Sequence, residues 1–310
     1  MYIRILVPLD GSRLSEQVIS YVLPIAEKLK AHVQLLRVIE PVDPALADPA
    51  HGRFLDQIST SMRNQAEDSL GTIRSAFTEA GVEVSSEACE GSPASSIVAE
   101  ANKDPATLIA MSTHGRSGVA RWVMGSVTDK VLHSVQNPLL IVRPEDGDAA
   151  TETNIQTIVV PLDGSALAEQ VLPHVMTVAK ALDCKISLIR VTLSRAEYMS
   201  YMSSLPVDSD FSRYNQSYEE FAQMANAEAT EYLHKVKAML EKQGAPSVEE
   251  RLLHGHPATA VIDIARETSD NLVAMTTHGR SGIGRWALGS VADRVIRGSG
   301  DPVLLVRATG

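Results

Sequence analysis

The chain contains an internal repeat. The hexapeptide Val-Pro-Leu-Asp-Gly-Ser occupies residues 7–12 and returns unchanged at residues 160–165, an offset of 153 residues. A second block, Thr-His-Gly-Arg-Ser-Gly, occupies residues 113–118 and returns at residues 277–282, an offset of 164 residues. Self-similarity at such a period indicates duplicated structural units. The 310 residues therefore predict two tandem units, each of an ordinary size for one domain.

Composition locates the boundary between the two units. We expect the first domain at residues 1–146, a polar and acidic linker at 147–155, and the second domain at 156–310. The longer offset of the second block implies a net insertion of 11 residues in the second domain. The insertion falls in the Tyr- and Met-rich segment 195–221, which either forms an adaptable lid or partner surface, or packs against its own sheet.

Strand-like apolar runs alternate with helical periodicity in both halves, which predicts an α/β fold. One helix is predicted over residues 14–29, and another begins at Ser92 and Pro93. We expect two tandem doubly wound domains, each a five-stranded, mainly parallel Rossmann-like sheet with helices on both faces. The predicted strands cover residues 3–7, 33–38, 82–89, 108–111 and 139–142 in the first half, and 158–160, 186–191, 248–253, 272–275 and 303–306 in the second.

The last predicted strand of each half, 139–142 and 303–306, is apolar along its whole length. An apolar edge strand left open invites aggregation. We therefore expect these two strands to pair with each other.

Composition excludes several classes of function. A net charge of −10 argues against binding of nucleic acid or an acidic membrane surface, because both need clustered Lys and Arg. The two cysteines, Cys89 and Cys184, show neither disulfide-framework nor metal-ligand spacing, which favours a reducing compartment. The sequence opens directly into a predicted strand and contains no long apolar run, so we expect a cytoplasmic protein.

Both repeated blocks lie where a doubly wound sheet binds ligands, outside the carboxyl ends of strands at the point where strand order reverses. The first block closes strand one and the second follows strand four, so the blocks face each other if these strands are neighbours. The second block is rich in glycine and leads to a helix predicted to start near Gly125. A helix N-terminus offers backbone N–H groups and a positive dipole end to an anion. The hydroxyls of Ser126 and Ser290 can cap their helices or donate to a phosphate oxygen.

The spacing of these residues resembles that of the universal stress protein family. The family pattern is Gly, two residues, Gly, nine residues, Gly, then Ser or Thr. The matching positions are Ser112, Gly115, Gly125 and Ser126 in the first half, and Thr276, Gly279, Gly289 and Ser290 in the second. Ser112 and Thr276 depart from the pattern, because they add a Cβ and a hydroxyl where the family has its first glycine.

The resemblance implies the adenine nucleotide alpha hydrolase-like form of the Rossmann-like fold, and a site for ATP, alone or with Mg²⁺. By this resemblance Asp10 and Asp163 hold the adenosine end, and Val38 and Val191 flank adenine. The residues expected at the nucleotide are Pro8, Asp10, Val38, Ser112, His114, Gly115, Arg116, Gly118, Gly125, Ser126, Val127, Pro161, Asp163, Val191, Thr276, His278, Gly279, Arg280, Gly282, Gly289, Ser290 and Val291.

The implied function is that of an ATP-binding stress-response or signalling module, paired as a homodimer or through its own two domains. Two alternatives stay open: a nucleotide-free dimerising scaffold of the same fold, and a slow ATP hydrolase. The sequence contains neither a Walker A motif nor a nucleophile elbow, so we expect at most slow catalysis.

Each expected residue also has a purely structural interpretation. The glycines could serve a strand-to-helix turn that needs a positive φ. Asp10 and Asp163 could cap a helix or form an Asx turn. His114 and His278 lack metal-ligand spacing, so we expect them to bond to backbone, and we expect no metal site.

Overall fold

The computed structural model describes residues 2–41, 52–113, 124–144, 153–203, 218–278 and 288–309. The first half contains β1 (Arg4–Leu9), α1 (Arg13–Glu16), α2 (Ile19–Leu29), β2 (His32–Ile39), α3 (Gly52–Glu79), β3 (Val84–Glu90), α4 (Pro93–Ala101), β4 (Thr107–Ser112), α5 (Ser126–Ser134) and β5 (Leu139–Val142). The second half contains β6 (Thr157–Pro161), α6 (Ala166–Glu169), α7 (Leu172–Leu182), β7 (Lys185–Thr192), α8 (Arg195–Ser203), α9 (Tyr218–Lys242), β8 (Ser247–His254), α10 (Pro257–Glu267), β9 (Asn271–Thr276), α11 (Ser290–Gly298) and β10 (Val303–Val306).

The chain divides into two compact units. Unit 1 comprises Met1–Asn154 together with Pro302–Arg307, and unit 2 comprises Ile155–Asp301 together with Ala308–Gly310. Each half contributes five strands within the described residues, as predicted, but β10 belongs in space to unit 1.

The sheet of unit 1 has the strand order β3-β2-β1-β4-β5-β10. Strand β1 pairs in parallel with β2 on one side and with β4 on the other. Strand β5 is parallel to β4 and antiparallel to β10, with Leu140 opposite Leu304. The predicted pairing of segments 139–142 and 303–306 is therefore confirmed.

The sheet of unit 2 has the strand order β9-β6-β7-β8, and its pairs are parallel. Strand β6 lies between β7 and β9, as β1 lies between β2 and β4. The two units therefore place the repeated sequence blocks at equivalent strand ends, and the predicted mainly parallel α/β fold is confirmed.

Burial explains why the central strands contain almost no polar residues. All six residues of β4 are buried, as are the last five of β1. A parallel strand covered by helices on both faces must be apolar on both sides, which gives a continuous apolar run rather than an alternating one. The edge strand β3 is more exposed and includes Ser, Glu and Cys residues.

The single helix predicted over residues 14–29 is wrong, because the chain breaks at Gln17 and Val18 into α1 and α2. The Ser20 hydroxyl donates to the Gln17 carbonyl at 2.8 Å, so a side chain satisfies a backbone carbonyl at the break. Unit 2 breaks at the equivalent place. Its residue Pro173 follows the break and has no N–H to donate to the preceding turn.

The insertion in the second half forms α8 and the start of α9. Tyr198 is buried, and its ring lies 5.5 Å from that of Tyr218 and 4.7 Å from that of Phe221, measured between ring centroids. This cluster supports the packing interpretation for that part of the insertion. Residues 204–217 lie outside the described part of the chain.

A fragment of residues 1–146 lacks β10 and should self-associate. Without β10, the backbone N–H and C=O groups of β5 and its apolar side chains lose their partner strand, and such an edge pairs with another chain. Size-exclusion chromatography with light scattering should show a dimer or a larger species.

The control for this experiment is a synthetic peptide of residues 300–309, which supplies β10. Adding the peptide should lower the assembled fraction, whereas a scrambled peptide of the same composition should not. A fragment that stays monomeric at micromolar concentration without the peptide would contradict the prediction.

Candidate functional site

A cleft of about 430 Å³ lies at the carboxyl end of the unit 1 sheet. It forms there because β1 and β4 are neighbours, so the loop after β1 and the start of α5 flank the same opening. We call it the unit 1 cleft. The expected residues that line it are Pro8, Asp10, Val38, Ser112, Gly125, Ser126 and Val127.

The loop after β1 is an Asx turn. Oδ1 of Asp10 accepts hydrogen bonds from the Ser12 backbone N–H at 2.9 Å and from the Ser12 hydroxyl at 2.6 Å. The Ser12 hydroxyl oxygen in turn accepts a hydrogen bond from the Ser15 N–H at 3.1 Å and caps α1. The structural interpretation of Asp10 is thus correct, and the same turn fixes its carboxylate at the wall of the cleft.

Unit 2 repeats this turn closely. Oδ1 of Asp163 accepts from the Ser165 N–H at 2.9 Å and from the Ser165 hydroxyl at 2.6 Å. Ser165 caps α6 by accepting from the Ala168 N–H. Pro161 ends β6, and Val191 is the penultimate residue of β7, as Val38 is of β2.

The start of α5 corrects the expected role of Ser126. Gly125 is the N-cap and Ser126 is the first helical residue, so the N-cap itself supplies no side-chain hydrogen bond. Helix α11 begins in the same way, with Gly289 as N-cap and Ser290 as first residue. Because a glycine has no side chain to serve as a cap, the helix relies on other groups to satisfy its first N–H donors.

The glycines at these N-caps are needed for packing rather than for a positive φ. Gly125 has a φ of −59° and Gly289 a φ of −60°, values open to any residue. A Cβ on Gly125 would lie 2.8 Å from the Thr113 carbonyl oxygen, and one on Gly289 would lie 2.7 Å from the Thr277 oxygen. The same oxygens accept from the Gly125 and Gly289 N–H groups at 2.8 and 2.7 Å.

The residues that replace the first motif glycine have defined positions. Ser112 is buried at the end of β4, and its carbonyl accepts from the Thr128 hydroxyl at 2.9 Å. In unit 2 the Thr276 hydroxyl donates to the His278 carbonyl at 2.7 Å. Its hydroxyl therefore bonds within the loop.

Several expected residues lie outside the described part of the chain. They are His114, Gly115, Arg116, Gly118, Gly279, Arg280 and Gly282. His278 is described, and its Nδ1 lies 3.0 Å from the Thr277 hydroxyl oxygen, so its bond is to a side chain rather than to backbone. Within the described ranges, no group of three or more His, Cys, Asp or Glu side chains is placed to hold a metal ion.

Sequence reasoning missed a buried arginine. Arg37 lies in β2, is 8% exposed and lines the unit 1 cleft. A Cβ on Gly11 would overlap its guanidinium, so the side chain lies against the loop after β1. Arg190 has the same place in β7, is 7% exposed and donates to the Leu162 carbonyl at 3.3 Å. The available signal was a charged residue inside an apolar strand, repeated at the offset of 153 residues.

Glu16 lies near Arg37 in the same region. Burial raises the pKa of Glu16, the Arg37 guanidinium counteracts that rise, and the Asp10 carboxylate adds to it. Arg37 and Asp10 line the cleft, and Glu16 lies within electrostatic range of both.

A family model described as the universal stress protein family matches the chain twice, over residues 1–143 and 154–307. The chain belongs to the universal stress protein family. The resemblance seen in the glycine spacing is thereby confirmed, in a tandem form.

Curated relatives agree with this assignment. The chain is 33% identical over 143 residues to a universal stress protein of Methanocaldococcus jannaschii, covering 46% of this chain and 83% of that protein. A universal stress protein of Mycolicibacterium smegmatis is 24% identical over 305 residues, covering 98% of this chain and 96% of its own length. Among solved structures, a universal stress protein from Archaeoglobus fulgidus has the same fold, with a TM-score of 0.70, 22% identity and 99% coverage of both chains.

No helix in the described ranges is both long enough and apolar enough to span a membrane.

Replacing Gly125 with alanine should destabilise unit 1 even without any ligand. The added Cβ would meet the Thr113 oxygen, and forcing the helix start away from β4 should cost about 1–3 kcal/mol. Gly289→Ala should do the same in unit 2. Urea unfolding followed by circular dichroism measures the change.

Gly71→Ala is the matched control, because Gly71 lies within α3 and a Cβ there meets no atom within 4 Å. It should stabilise the protein by about 0.5–1 kcal/mol through the higher helix propensity of alanine. A Gly125→Ala variant as stable as wild type would show that the contact with Thr113 is not what requires glycine.

Proposed function

We propose that this protein is an adenine-nucleotide-binding stress-response module, and that ATP binds in the unit 1 cleft. One observation carries the proposal: a helix start with a glycine N-cap and a carboxylate fixed by an Asx turn line the same cleft. A nucleotide has the complementary ends, a polyanion and a ribose with hydroxyl donors.

The phosphates would lie at the start of α5. The first-turn residues Ser126, Val127 and Thr128 all line the cleft, and their backbone N–H groups belong to the helix end that has the glycine N-cap. A helix dipole contributes only about 0.3–1 kcal/mol to holding an anion at an exposed site. Several N–H donors and the Ser126 hydroxyl are therefore needed together.

The adenosine would lie toward β2. The Asp10 carboxylate can accept two hydrogen bonds from ribose hydroxyls, and its turn holds it in place before the ligand arrives. Leu36, Val38 and Ile97 give this side of the cleft an apolar lining suited to a purine ring. The volume of about 430 Å³ falls within the usual range of small-molecule sites, about 300–1,000 Å³.

Any Mg²⁺ would arrive with the phosphates. Magnesium keeps several waters and takes one or two carboxylates together with phosphate oxygens. Asp10 and Glu40 are the carboxylates among the described lining residues. We therefore assign Mg²⁺ to the nucleotide rather than to a site of its own.

We also place the protein in the cytoplasm. Cys89 and Cys184 are both free thiols, which fits a reducing compartment.

Replacing Ser126 with alanine should weaken ATP binding about tenfold to a hundredfold. A hydrogen bond to a charged group contributes about 1.5–3 kcal/mol, and each 1.4 kcal/mol is a factor of ten in affinity. Isothermal titration calorimetry on protein freed of bound nucleotide measures the change. Denaturing the freshly purified protein and analysing the supernatant by chromatography shows whether it carries adenine nucleotide already.

Ser134→Ala is the control, because Ser134 ends the same helix and is exposed. Its affinity should equal that of wild type. Absence of heat with wild-type protein, together with absence of released nucleotide, would leave the nucleotide-free scaffold as the function.

A further inference from the structure

Equivalent positions on α3 and α9 carry different residues. Both helices end with the same backbone hydrogen bond, from Val82 N–H to the Phe77 carbonyl at 2.9 Å and from Ala245 N–H to the Leu240 carbonyl at 3.0 Å. The offset between the helices is therefore 163 residues, and Ser69 on α3 corresponds to Tyr232 on α9.

Tyr232 lies over the buried arginine of unit 2. The Cζ atom of Arg190 is 5.6 Å from the centre of the Tyr232 ring, a cation–π distance. Burial raises the pKa of the Tyr232 hydroxyl, and the nearby carboxylates of Glu169 and Asp163 add to that rise. The ring therefore lies on the arginine that donates to the Leu162 carbonyl, one residue before the Asp163 of the Asx turn.

A second contact fixes α9 at the same strand ends. The Thr192 hydroxyl donates to Oδ1 of Asn226 on α9 at 2.9 Å, and the Thr192 oxygen lies 2.8 Å from Nδ1 of His254. Residue 192 ends β7 as Ile39 ends β2, and an isoleucine side chain cannot form either hydrogen bond. In unit 2, side chains therefore join α9 to both β7 and β8.

Unit 1 has smaller groups in the corresponding corner. Ser69 is too small to cover an arginine in the way that Tyr232 does, and Arg37 and Asp10 both line the open cleft. In unit 2, by contrast, the Tyr232 ring lies over the equivalent arginine.

We propose that the two nucleotide sites of this chain are unequal: unit 1 holds the nucleotide, and Tyr232 occupies the adenosine end of the unit 2 site, which opens only when the ring leaves Arg190. The proposal rests on the proposed function and names the residue that regulates one of its two sites. A site that must first open binds with an affinity reduced by the fraction of open molecules. A desolvated cation–π contact is strong enough to make that reduction about tenfold.

The experiment measures ATP binding by calorimetry on the full chain, freed of nucleotide. Wild type should bind one ATP tightly, and a second about tenfold or more weakly. Ser126→Ala should weaken the tight event about tenfold to a hundredfold, whereas Ser290→Ala should leave it unchanged. Tyr232→Ser should strengthen the second event about tenfold, and the reciprocal Ser69→Tyr should weaken the first.

Tyr232→Phe is the matched control, because it keeps the ring over Arg190 and should bind as wild type does. Thermal unfolding of each variant without ligand confirms that both units remain folded. The proposal of unequal sites would be overturned if wild type bound two ATP molecules with equal affinity. It would also be overturned if the second site of Tyr232→Ser were unchanged or weaker. Either result would leave the proposed function intact. Absence of binding in every variant would instead overturn the proposed function.

Discussion

The parallel pairing of β1 with β4 is the constraint on which the rest of the site depends. About a hundred residues separate these strands in sequence, yet the register that places Ile5 beside Leu108 brings their carboxyl ends to one edge. The Asx turn after β1 and the start of α5 face each other only because these strands are neighbours. Both strands are buried almost throughout, so apolar packing on both faces of the sheet stabilises this pairing.

Much of the fold could be predicted from local patterns. Continuous apolar runs identify the strands of a covered parallel sheet, and the two repeated blocks identify the strand ends that matter. The break between α1 and α2 could not be predicted from apolar spacing, because that spacing continues across Gln17 and Val18. At the break the Ser20 hydroxyl bonds to the Gln17 carbonyl in one unit, and Pro173 lacks an N–H in the other.

The sequence predicted which strand ends the candidate residues follow, but not the contacts that those residues make. The motif spacing identified Gly125. The reason that the position requires glycine is the nearby Thr113 carbonyl, which the fold brings into contact with Gly125. Arg37 was missed because residue type alone does not distinguish a surface arginine from a buried one. Arg37 is buried because β2 places its side chain against Gly11, in the turn after β1. Contacts between distant segments decide both cases, and periodicity carries no information about them.

The place of β10 in unit 1 has a consequence for biosynthesis. Strand β10 follows its partner β5 by about 160 residues, so the ribosome makes nearly the whole of unit 2 before the sheet of unit 1 can be completed. Domains fold as they emerge, and pairing between such distant segments is slow. During translation the apolar edge of β5 therefore remains unpaired for longer than the edge of any other strand of unit 1. That interval is when the nascent chain most needs protection by a chaperone.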